Sequence, residues 1–178
     1  MIVLGIETAT LQVGCALGGH EGVLASFHAA RGRRHAEVLT PAIEFVCAQA
    51  QVSMNEIGAV AVDIGPGLFT GLRVGVATAK AMSQALRVPV IGLSSLDLLA
   101  YPVRYTRRLI ACVIDARRGE VFAALYRQVP GGVQRISGPM VTTAGELASE
   151  LMARREEFLL VGDGALRYAD SFAHLAEV

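Results

Sequence analysis

Short apolar runs separated by polar turns fill the first thirty residues of the chain. Ile2 to Ile6 and Val13 to Leu17 are apolar, and the acid and hydroxyl cluster Glu7 to Thr10 stands between them. This pattern predicts two adjacent antiparallel strands joined by a polar turn. A further apolar run, Val23 to Phe27, predicts a third strand.

Helical spacing then replaces alternation. From His35 to about Gln51 the apolar residues recur at intervals of three and four, with Pro41 near the first turn. Ser53 to Glu56 have the spacing of a capping box over one short turn. We therefore expect an amphipathic helix after the three strands, followed by a capped turn.

A strand, a glycine loop and a second helix follow in that order. Ala59 to Ile64 is an apolar run typical of a buried strand, and it ends at Gly65-Pro66-Gly67. Thr70 is placed to cap a helix that runs to about Leu86. A strand and a short helix are expected next, at Val88 to Leu93 and Ser94 to Tyr101.

The second half of the chain repeats the succession of hairpin, helix and strand. The elements that its pattern predicts are a hairpin of Leu109 to Asp115 and Glu120 to Tyr126, a helix opened by the capping box Thr143 to Glu146 and ending near Arg154, a strand from Phe158 to Val161, and a loop from Gly162 to Gly164. The Pro and Arg stretch 102–108 favours a boundary between an N-terminal lobe, residues 1–101, and a second lobe, residues 102–178.

An ungapped internal match supports two related lobes. Residues 6–17, IETATLQVGCAL, align with residues 114–125, IDARRGEVFAAL, at a constant offset that pairs Glu7 with Asp115 and Leu17 with Leu125. Duplication at half the chain length favours two like domains over a solenoid. Chance likeness between two apolar hairpins is the alternative.

The helix after the glycine loop carries small residues every four positions, Gly71, Gly75 and Ala79. A glycine loop before a helix can hold an anion on free backbone N–H groups, and Arg73 could add a cation there. Each helical glycine costs about 1 kcal/mol relative to alanine, so this stripe also indicates close packing, either on the helix that begins at His35 or on another subunit. All three readings stay open on the sequence.

Composition narrows the classes of protein. Sixteen basic residues balance sixteen acidic ones, so overall charge does not favour binding to nucleic acid or membranes. Three widely spaced cysteines in apolar runs, with no basic leader and no apolar run long enough to span a membrane, predict reduced thiols in a cytoplasmic protein.

Catalytic chemistry is weakly represented. The four histidines show no pair at the spacing that shares a metal on a helix, and no Gly-x-Ser-x-Gly motif occurs. Glu7 and Asp115 occupy matching turns, where carboxylates could order magnesium or a nucleotide across a cleft. The alternative is that each accepts hydrogen bonds from its own turn.

Five segments resemble the TsaB (YeaZ) family, the bacterial partners of the tRNA threonylcarbamoyltransferase TsaD. They are GIETAT, RRHAEVLTP, the block from Gly65 to Ala100, VIDARRGEVFAALY and LVGDGA. The resemblance implies an α/β fold of the actin-like ATPase (ASKHA, ribonuclease H-like) type with two lobes of related topology. It also implies that the two histidines that bind the catalytic metal in TsaD are replaced here by Ser95 and Leu99.

The resemblance further implies a non-catalytic scaffold subunit that binds TsaD through its two helices, works with TsaE, self-associates as a homodimer in isolation and meets tRNA only through the complex. It implies that this chain binds no cofactor by itself and that ATP or ADP can bind at the interface with the partner. Candidate nucleotide or magnesium contacts are Glu7, Thr8 and Asp115. The interface residues that it implies are His35, Leu39, Ala42, Leu68, Phe69, Thr70, Gly71, Leu72, Arg73, Gly75, Val76 and Ala79.

Two other functions compete with this one. A glycoprotease-like peptidase that acts on TsaD needs a nucleophile or metal site, and an independent sugar-kinase-like ATPase needs a catalytic acid such as Glu7. Position 7 usually holds Asp in the family, and the chain ends at Val178, earlier than the family predicts. We therefore expect a weakened nucleotide site and a shortened second lobe.

Overall fold

The computed structural model describes residues 1–30 and 34–177. The chain divides into unit 1, Met1–Ser95, and unit 2, Leu96–Val178. The division lies after Ser95 rather than after Tyr101, because Leu96 and Ala100 pack in an apolar cluster with the strands of unit 2. No helix in the described part of the chain is long and apolar enough to cross a membrane.

Unit 1 is a five-stranded sheet with two long helices. Its elements are β1 (Ile2–Glu7), β2 (Val13–Gly19), β3 (Gly22–Ala29), α1 (His35–Ala50), β4 (Ile57–Asp63), α2 (Phe69–Leu86) and β5 (Val90–Leu93), with a 3-10 turn at Met54–Glu56. The strand order is β3-β2-β1-β4-β5. The first three strands pair antiparallel, whereas β4 runs parallel to β1 and to β5.

Unit 2 repeats this arrangement around a second sheet. Its elements are α3 (Ser95–Ala100), β6 (Leu109–Arg117), β7 (Glu120–Val129), β8 (Gly132–Arg135), β9 (Met140–Thr143), α4 (Ala144–Arg154), β10 (Phe158–Val161), α5 (Asp163–Arg167) and α6 (Ala169–Phe172), with 3-10 turns at Tyr101–Val103 and Ala173–Glu177. The strand order is β10-β6-β7-β8, and β9 also pairs with β7. Strand β10 runs parallel to β6, as β4 does to β1.

The apolar clusters show what holds each unit. In unit 1 a single cluster joins α1 and α2 to one face of the sheet, with Leu4, Leu17 and Val46 at its centre. In unit 2, α4 covers one face through Leu147 and Leu151, and α3 covers the other. Burial of these aliphatic side chains supplies the main stabilising free energy of both units.

Most predicted elements are confirmed, including the capping boxes at Ser53–Glu56 and Thr143–Glu146. Strands β8 and β9 and helices α5 and α6 were not predicted. The cap assigned to Thr70 is wrong, because α2 begins at Phe69 with Leu68 at its N-cap position. The Leu68 N–H instead donates to the carbonyl oxygen of Ala9 at 2.7 Å.

The internal repeat is real in topology but one residue out of register on its first strand. Leu17 pairs with Leu4, whereas Leu125 pairs with Ala111. Both leucines lie in the cluster that the long helices cover. Ile114, which the ungapped match equates with Ile6, faces the opposite side of its sheet. The match of Glu7 with Asp115 is therefore displaced by one position.

Candidate functional site

The outer surfaces of α1 and α2 carry two exposed aromatic residues of unit 1, Phe45 and Phe69. Both helices pack on the same side of the sheet and contact each other. We define the α1–α2 face by a set of exposed residues on the two helices, namely Glu37, Thr40, Glu44, Phe45 and Ala48 on α1 and Phe69, Thr70, Arg73, Ala77, Lys80, Ala81 and Gln84 on α2. The Phe45 and Phe69 residues are 49% and 73% exposed.

The charges on the α1–α2 face are divided between the helices. Helix α1 exposes Glu37 and Glu44, while α2 exposes Arg73 and Lys80. The Arg73 guanidinium lies 5.4 Å from the Phe69 ring centroid, which is within cation–π range. Lys80 is the only lysine in the chain. The face therefore combines exposed aromatic rings, small alanines and a separation of charge.

The stripe of Gly71, Gly75 and Ala79 does not belong to this face. All three residues are buried in unit 1. A methyl group on Gly71 would lie 2.0 Å from the Thr8 carbonyl oxygen, and one on Gly75 would lie 2.3 Å from the Thr8 hydroxyl. The stripe lets α2 approach the end of β1, so the interpretation of these residues as a subunit interface is wrong.

Three predicted α1 interface residues are also internal. His35, Leu39 and Ala42 are 5%, 1% and 2% exposed, and the last two lie in the apolar cluster of unit 1. The His35 Nε2 atom lies 2.9 Å from the Thr10 carbonyl oxygen. Of the remaining predicted interface residues, Phe69, Thr70 and Arg73 are exposed, and Leu68, Leu72 and Val76 are partly exposed.

The glycine loop after β4 is closed by hydrogen bonds within unit 1. The buried Asp63 carboxylate accepts a bond from the Gly65 N–H at 2.8 Å and one from the Ser95 hydroxyl at 2.6 Å. Burial raises the pKa of Asp63, and these two bonds oppose that shift. The Gly65 and Leu68 N–H groups are thus committed to internal acceptors rather than presented as an anion cradle.

Glu7 and Thr8 hold the turn that packs against α2. The Glu7 carboxylate accepts bonds from the Ala9 and Thr10 N–H groups at 2.7 and 3.2 Å. Burial raises the pKa of Glu7, and the nearby Asp63 carboxylate adds to that shift. The fully buried Thr8 donates its hydroxyl to the Gly71 carbonyl oxygen at 2.9 Å. Both side chains therefore have structural partners.

Asp115 holds the turn between β6 and β7 of unit 2. One of its oxygens accepts bonds from the Arg117 N–H at 2.9 Å and the Tyr168 hydroxyl at 3.1 Å. The other lies 3.2 Å from Arg117 and 3.5 Å from Arg167. Each predicted acid thus accepts hydrogen bonds from its own turn, the second of the two alternatives that the sequence left open.

The two positions at which TsaD was expected to hold metal-binding histidines have structural roles here. Ser95 is buried and donates to Asp63, and Leu99 packs in the apolar cluster of unit 2. Within residues 1–30 and 34–177, no group of three or more His, Cys, Asp and Glu side chains is placed to share a metal ion.

The three cysteines are buried thiols. Burial raises the pKa of Cys15 to about 11 and that of Cys112 to about 12, and it also raises the pKa of Cys47. A thiol is a nucleophile only when ionised. None of the three is thus prepared for attack on a peptide bond at neutral pH.

Sequence reasoning missed several residues of the α1–α2 face, above all Phe45, Ala77 and Lys80. Phe45 was counted among the apolar residues at helical spacing, yet it is 49% exposed while Ile43 and Val46 are 3% and 0% exposed, and its ring lies edge-on to Phe27 of β3. An apolar residue that falls off the buried stripe of a helix is the signal that could have identified this surface.

Comparisons with known proteins agree on one family. Residues 23–167 match the family described as TsaD: tRNA N6-adenosine threonylcarbamoyltransferase. The tRNA threonylcarbamoyladenosine biosynthesis protein TsaB of Escherichia coli is 30% identical over 96% of this chain and 74% of that protein. The protein of the same description from Bacillus subtilis is 31% identical over 76% of this chain and 59% of that protein.

A solved structure supports the same fold. YeaZ from Pseudomonas aeruginosa superposes with a TM-score of 0.84 and 26% identity, covering 96% of this chain and 79% of that chain. The match with the Bacillus subtilis relative spans about three fifths of the length of that protein.

Proposed function

This chain belongs to the TsaB (YeaZ) family, with its actin-like fold, and from that premise we propose that it is a non-catalytic scaffold subunit in the formation of threonylcarbamoyladenosine on tRNA. Its partner is a TsaD-type transferase, which binds the α1–α2 face. The observation that carries the proposal is the exposure of Phe45 and Phe69 on two adjacent helices.

The composition of the face suits a protein partner. Aromatic and arginine side chains dominate binding energy at protein interfaces, and small side chains between them allow close approach of a facing helix. Phe69 and Arg73 supply the first kind at one end of α2, while Ala77 and Ala81 supply the second kind along it. Such a face accepts an amphipathic pair of helices from a partner.

The scaffold role is supported by the chemistry of the former metal positions. A hydroxyl and an alkyl group cannot replace two imidazoles at a transition-metal site. Ser95 is held by Asp63, and Leu99 is held among apolar neighbours. The transfer reaction is therefore assigned to the partner, and this chain contributes its binding surface.

The division of charge also favours self-association when the partner is absent. In a two-fold dimer each copy offers the same patch, so the acidic α1 of one copy can meet the basic α2 of the other. We propose that this homodimer and the TsaD complex compete for one face. We further propose that TsaE joins this complex and that ATP or ADP binds at the interface with TsaD.

Substitution of Ala77 by arginine tests the proposal. Ala77 lies exposed in the middle of α2, so a long charged side chain should block a facing helix without disturbing the fold. We expect Ala77→Arg to abolish co-purification with the TsaD protein of the same organism. Ala153→Arg, at an exposed alanine of α4 in unit 2, is the matched control and should bind normally.

The single lysine provides an independent readout. Acetylation of Lys80 by an amine-reactive reagent, followed by mass analysis, should be rapid in the free Ala77→Arg variant and suppressed in the wild-type complex. Unchanged co-purification of Ala77→Arg, with Lys80 equally reactive in the presence and absence of TsaD, would show that another surface binds the partner.

A further inference from the structure

Unit 2 carries a stack of planar side chains that takes no part in its apolar clusters. The Arg104 guanidinium lies 4.1 Å from the Tyr101 ring centroid and 4.4 Å from the Tyr105 ring centroid. It donates hydrogen bonds to the Tyr101 carbonyl oxygen at 2.9 Å and to the Tyr105 hydroxyl at 2.8 Å. We call these three residues the aromatic ledge.

The ledge is both ordered and open to solvent. Tyr101 and Tyr105 are 51% and 76% exposed, although two tyrosine rings could bury much apolar area by packing inward. The two hydrogen bonds fix the guanidinium, which in turn orients both rings. The entropy cost of presenting these planar groups to a ligand is therefore already met in the folded chain.

The charges around the ledge leave a positive excess. Three nearby acids are neutralised, since Arg135, Arg127 and Arg108 pair with Asp97, Glu156 and Glu157 respectively. Among the described residues, Arg104 and the exposed Arg107 make no ion pair with an acid. A polyanion that approached this part of unit 2 would meet two uncompensated guanidinium groups.

A groove adjoins the ledge at Tyr101. It has a volume of about 480 Å³ and is lined by Asp97, Tyr101, Tyr126, Gly132, Val133 and Arg135. The Asp97 Oδ1 atom accepts bonds from the Tyr126 hydroxyl at 2.7 Å and from Arg135 at 2.5 Å. Within the described chain, the Asp97 Oδ2 atom has no hydrogen-bond donor, so it can accept from an amino or ring N–H group.

We infer that the aromatic ledge and its groove bind unpaired bases of single-stranded RNA. Aromatic rings and arginine planes stack bases, positive charge contacts the phosphates, and a carboxylate oxygen beside a stacking ring accepts from a base edge. This site goes beyond the proposed function, because it lies on unit 2 and does not use the α1–α2 face. It assigns to this chain a direct RNA contact in addition to the contact expected through its complex.

Fluorescence anisotropy with a 5′-fluorescein-labelled 12-nucleotide single-stranded RNA, added to the isolated chain, tests the inference. Tyr105→Ala should weaken binding about tenfold, as expected for the loss of one stacked base. Leu166→Ala is the matched control, because Leu166 on α5 of the same unit is 82% exposed and Tyr105 is 76% exposed. The control should bind the RNA as the wild type does.

Arg104→Lys separates stacking from charge. Lysine keeps the positive charge but lacks the planar fork, so we expect a several-fold loss of affinity with an unchanged dependence on salt. The duplex form of the same RNA should bind more weakly than the single strand, and adenosine monophosphate should compete only at far higher concentration than the RNA.

Four results would overturn the inference. Wild-type affinity in Tyr105→Ala, or an equal loss in Leu166→Ala, would show that the ledge does not bind the RNA. Equal affinity for duplex and single strand would reduce the contact to electrostatics. Displacement by adenosine monophosphate at the concentration of the RNA would assign the groove to free nucleotides instead. Each result is independent of whether Ala77→Arg still binds TsaD.

Discussion

The central strands of the two sheets differ in how they are covered. In β6 of unit 2 seven consecutive residues, Leu109 to Asp115, are buried, whereas in β1 of unit 1 buried and partly exposed residues alternate from Val3 to Glu7. Unit 2 has an apolar cluster on each face of its sheet, and unit 1 has one. The same topology thus supports one sheet with two apolar faces and one with a single apolar face.

This difference shows how a duplicated fold divides its tasks. Unit 2 uses its helix α4 mainly to close a core, and the helix after its last strand, α5, spans only Asp163–Arg167. Unit 1 keeps α2 at 18 residues, one side on the sheet and the other in solvent. The unit with the longer helix is thus the one that carries the proposed partner surface.

The largest expected effect comes from truncating two leucines at equivalent positions of the two units. Leu17 and Leu125 are both 0% exposed and lie in the helix-covered clusters of their units. Each change to alanine should lower the free energy of unfolding by about 3 kcal/mol, measured by urea denaturation. Leu166→Ala, at a residue 82% exposed, is the control. A loss for only one of the two leucines would show that the positions are not equivalent.

The helical glycines of the two units should respond with opposite sign. A methyl group on Gly71 would meet the Thr8 carbonyl oxygen, whereas one on Gly145 of α4 would meet no atom within 4 Å. We expect Gly71→Ala to destabilise unit 1 by about 2 kcal/mol through overpacking. Gly145→Ala should stabilise unit 2 by up to about 1 kcal/mol. Thermal unfolding of both variants decides the point, and equal signs would contradict the internal packing of the stripe.

The helix caps provide a smaller test. Thr143 accepts a bond from the Glu146 N–H at 3.2 Å and so caps α4, while α2 has no side-chain cap. Thr143→Ala should therefore cost about 1 kcal/mol in urea denaturation. Thr40→Ala, in the exposed middle of α1, should change stability by less than about 0.5 kcal/mol. Similar losses in the two variants would argue against the cap.

The smallest expected effect is a pH dependence of opposite direction in the two units. Burial raises the pKa of Asp63 above its ordinary value of 3.8, whereas hydrogen bonds from Thr143 and Thr142 lower the pKa of Glu146 below 4.5. The Asp63 contribution to stability is therefore full below pH 3.8 and declines as the pH rises through its raised pKa. The Glu146 contribution is full above pH 4.5 and declines as the pH falls.

Urea midpoints of the wild type and Asp63→Asn between about pH 3 and 7 measure this effect. Asparagine can still accept the bonds from Gly65 and Ser95, so the fold should persist. The stability of the variant relative to the wild type should rise as the pH rises. Parallel pH profiles would show that Asp63 carries no such linkage.

Local signals in the sequence predicted the strands and helices well. Short apolar runs located β1 and β2, and the capping boxes located the short turn at Met54 and the start of α4. The ungapped alignment of the repeat was one residue out of register on its first strand, because an amino-acid sequence does not show which residues pair across a ladder. The β6–β7 ladder shifts register by one residue between Asp115 and Arg117, whereas the β1–β2 ladder has no such shift, so an ungapped match cannot follow both strands.

The candidate site was predicted less completely, for a non-local reason. Spacing indicates that Gly71 and Gly75 lie on one side of α2, but only the approach of Thr8, more than sixty residues away along the chain, decides that this side is buried. The exposed side combines Phe69 with the small Ala77 and the charged Lys80, so it shows no continuous apolar stripe. Burial of one stripe nevertheless implies exposure of its opposite, so the face could have been inferred by elimination.

The contact between Thr8 and Gly71 also limits how far α2 can move when a protein binds its outer side. The α2 backbone at Gly71 packs directly on Thr8 and accepts its hydroxyl hydrogen bond, so the helix is anchored to the end of a central strand. If a partner binds the outer side of α2, we expect the conformational change on binding to occur in the partner rather than in α2. We therefore expect the proposed partner to dock on α2 as on a rigid body, with little movement of the α2 backbone on binding.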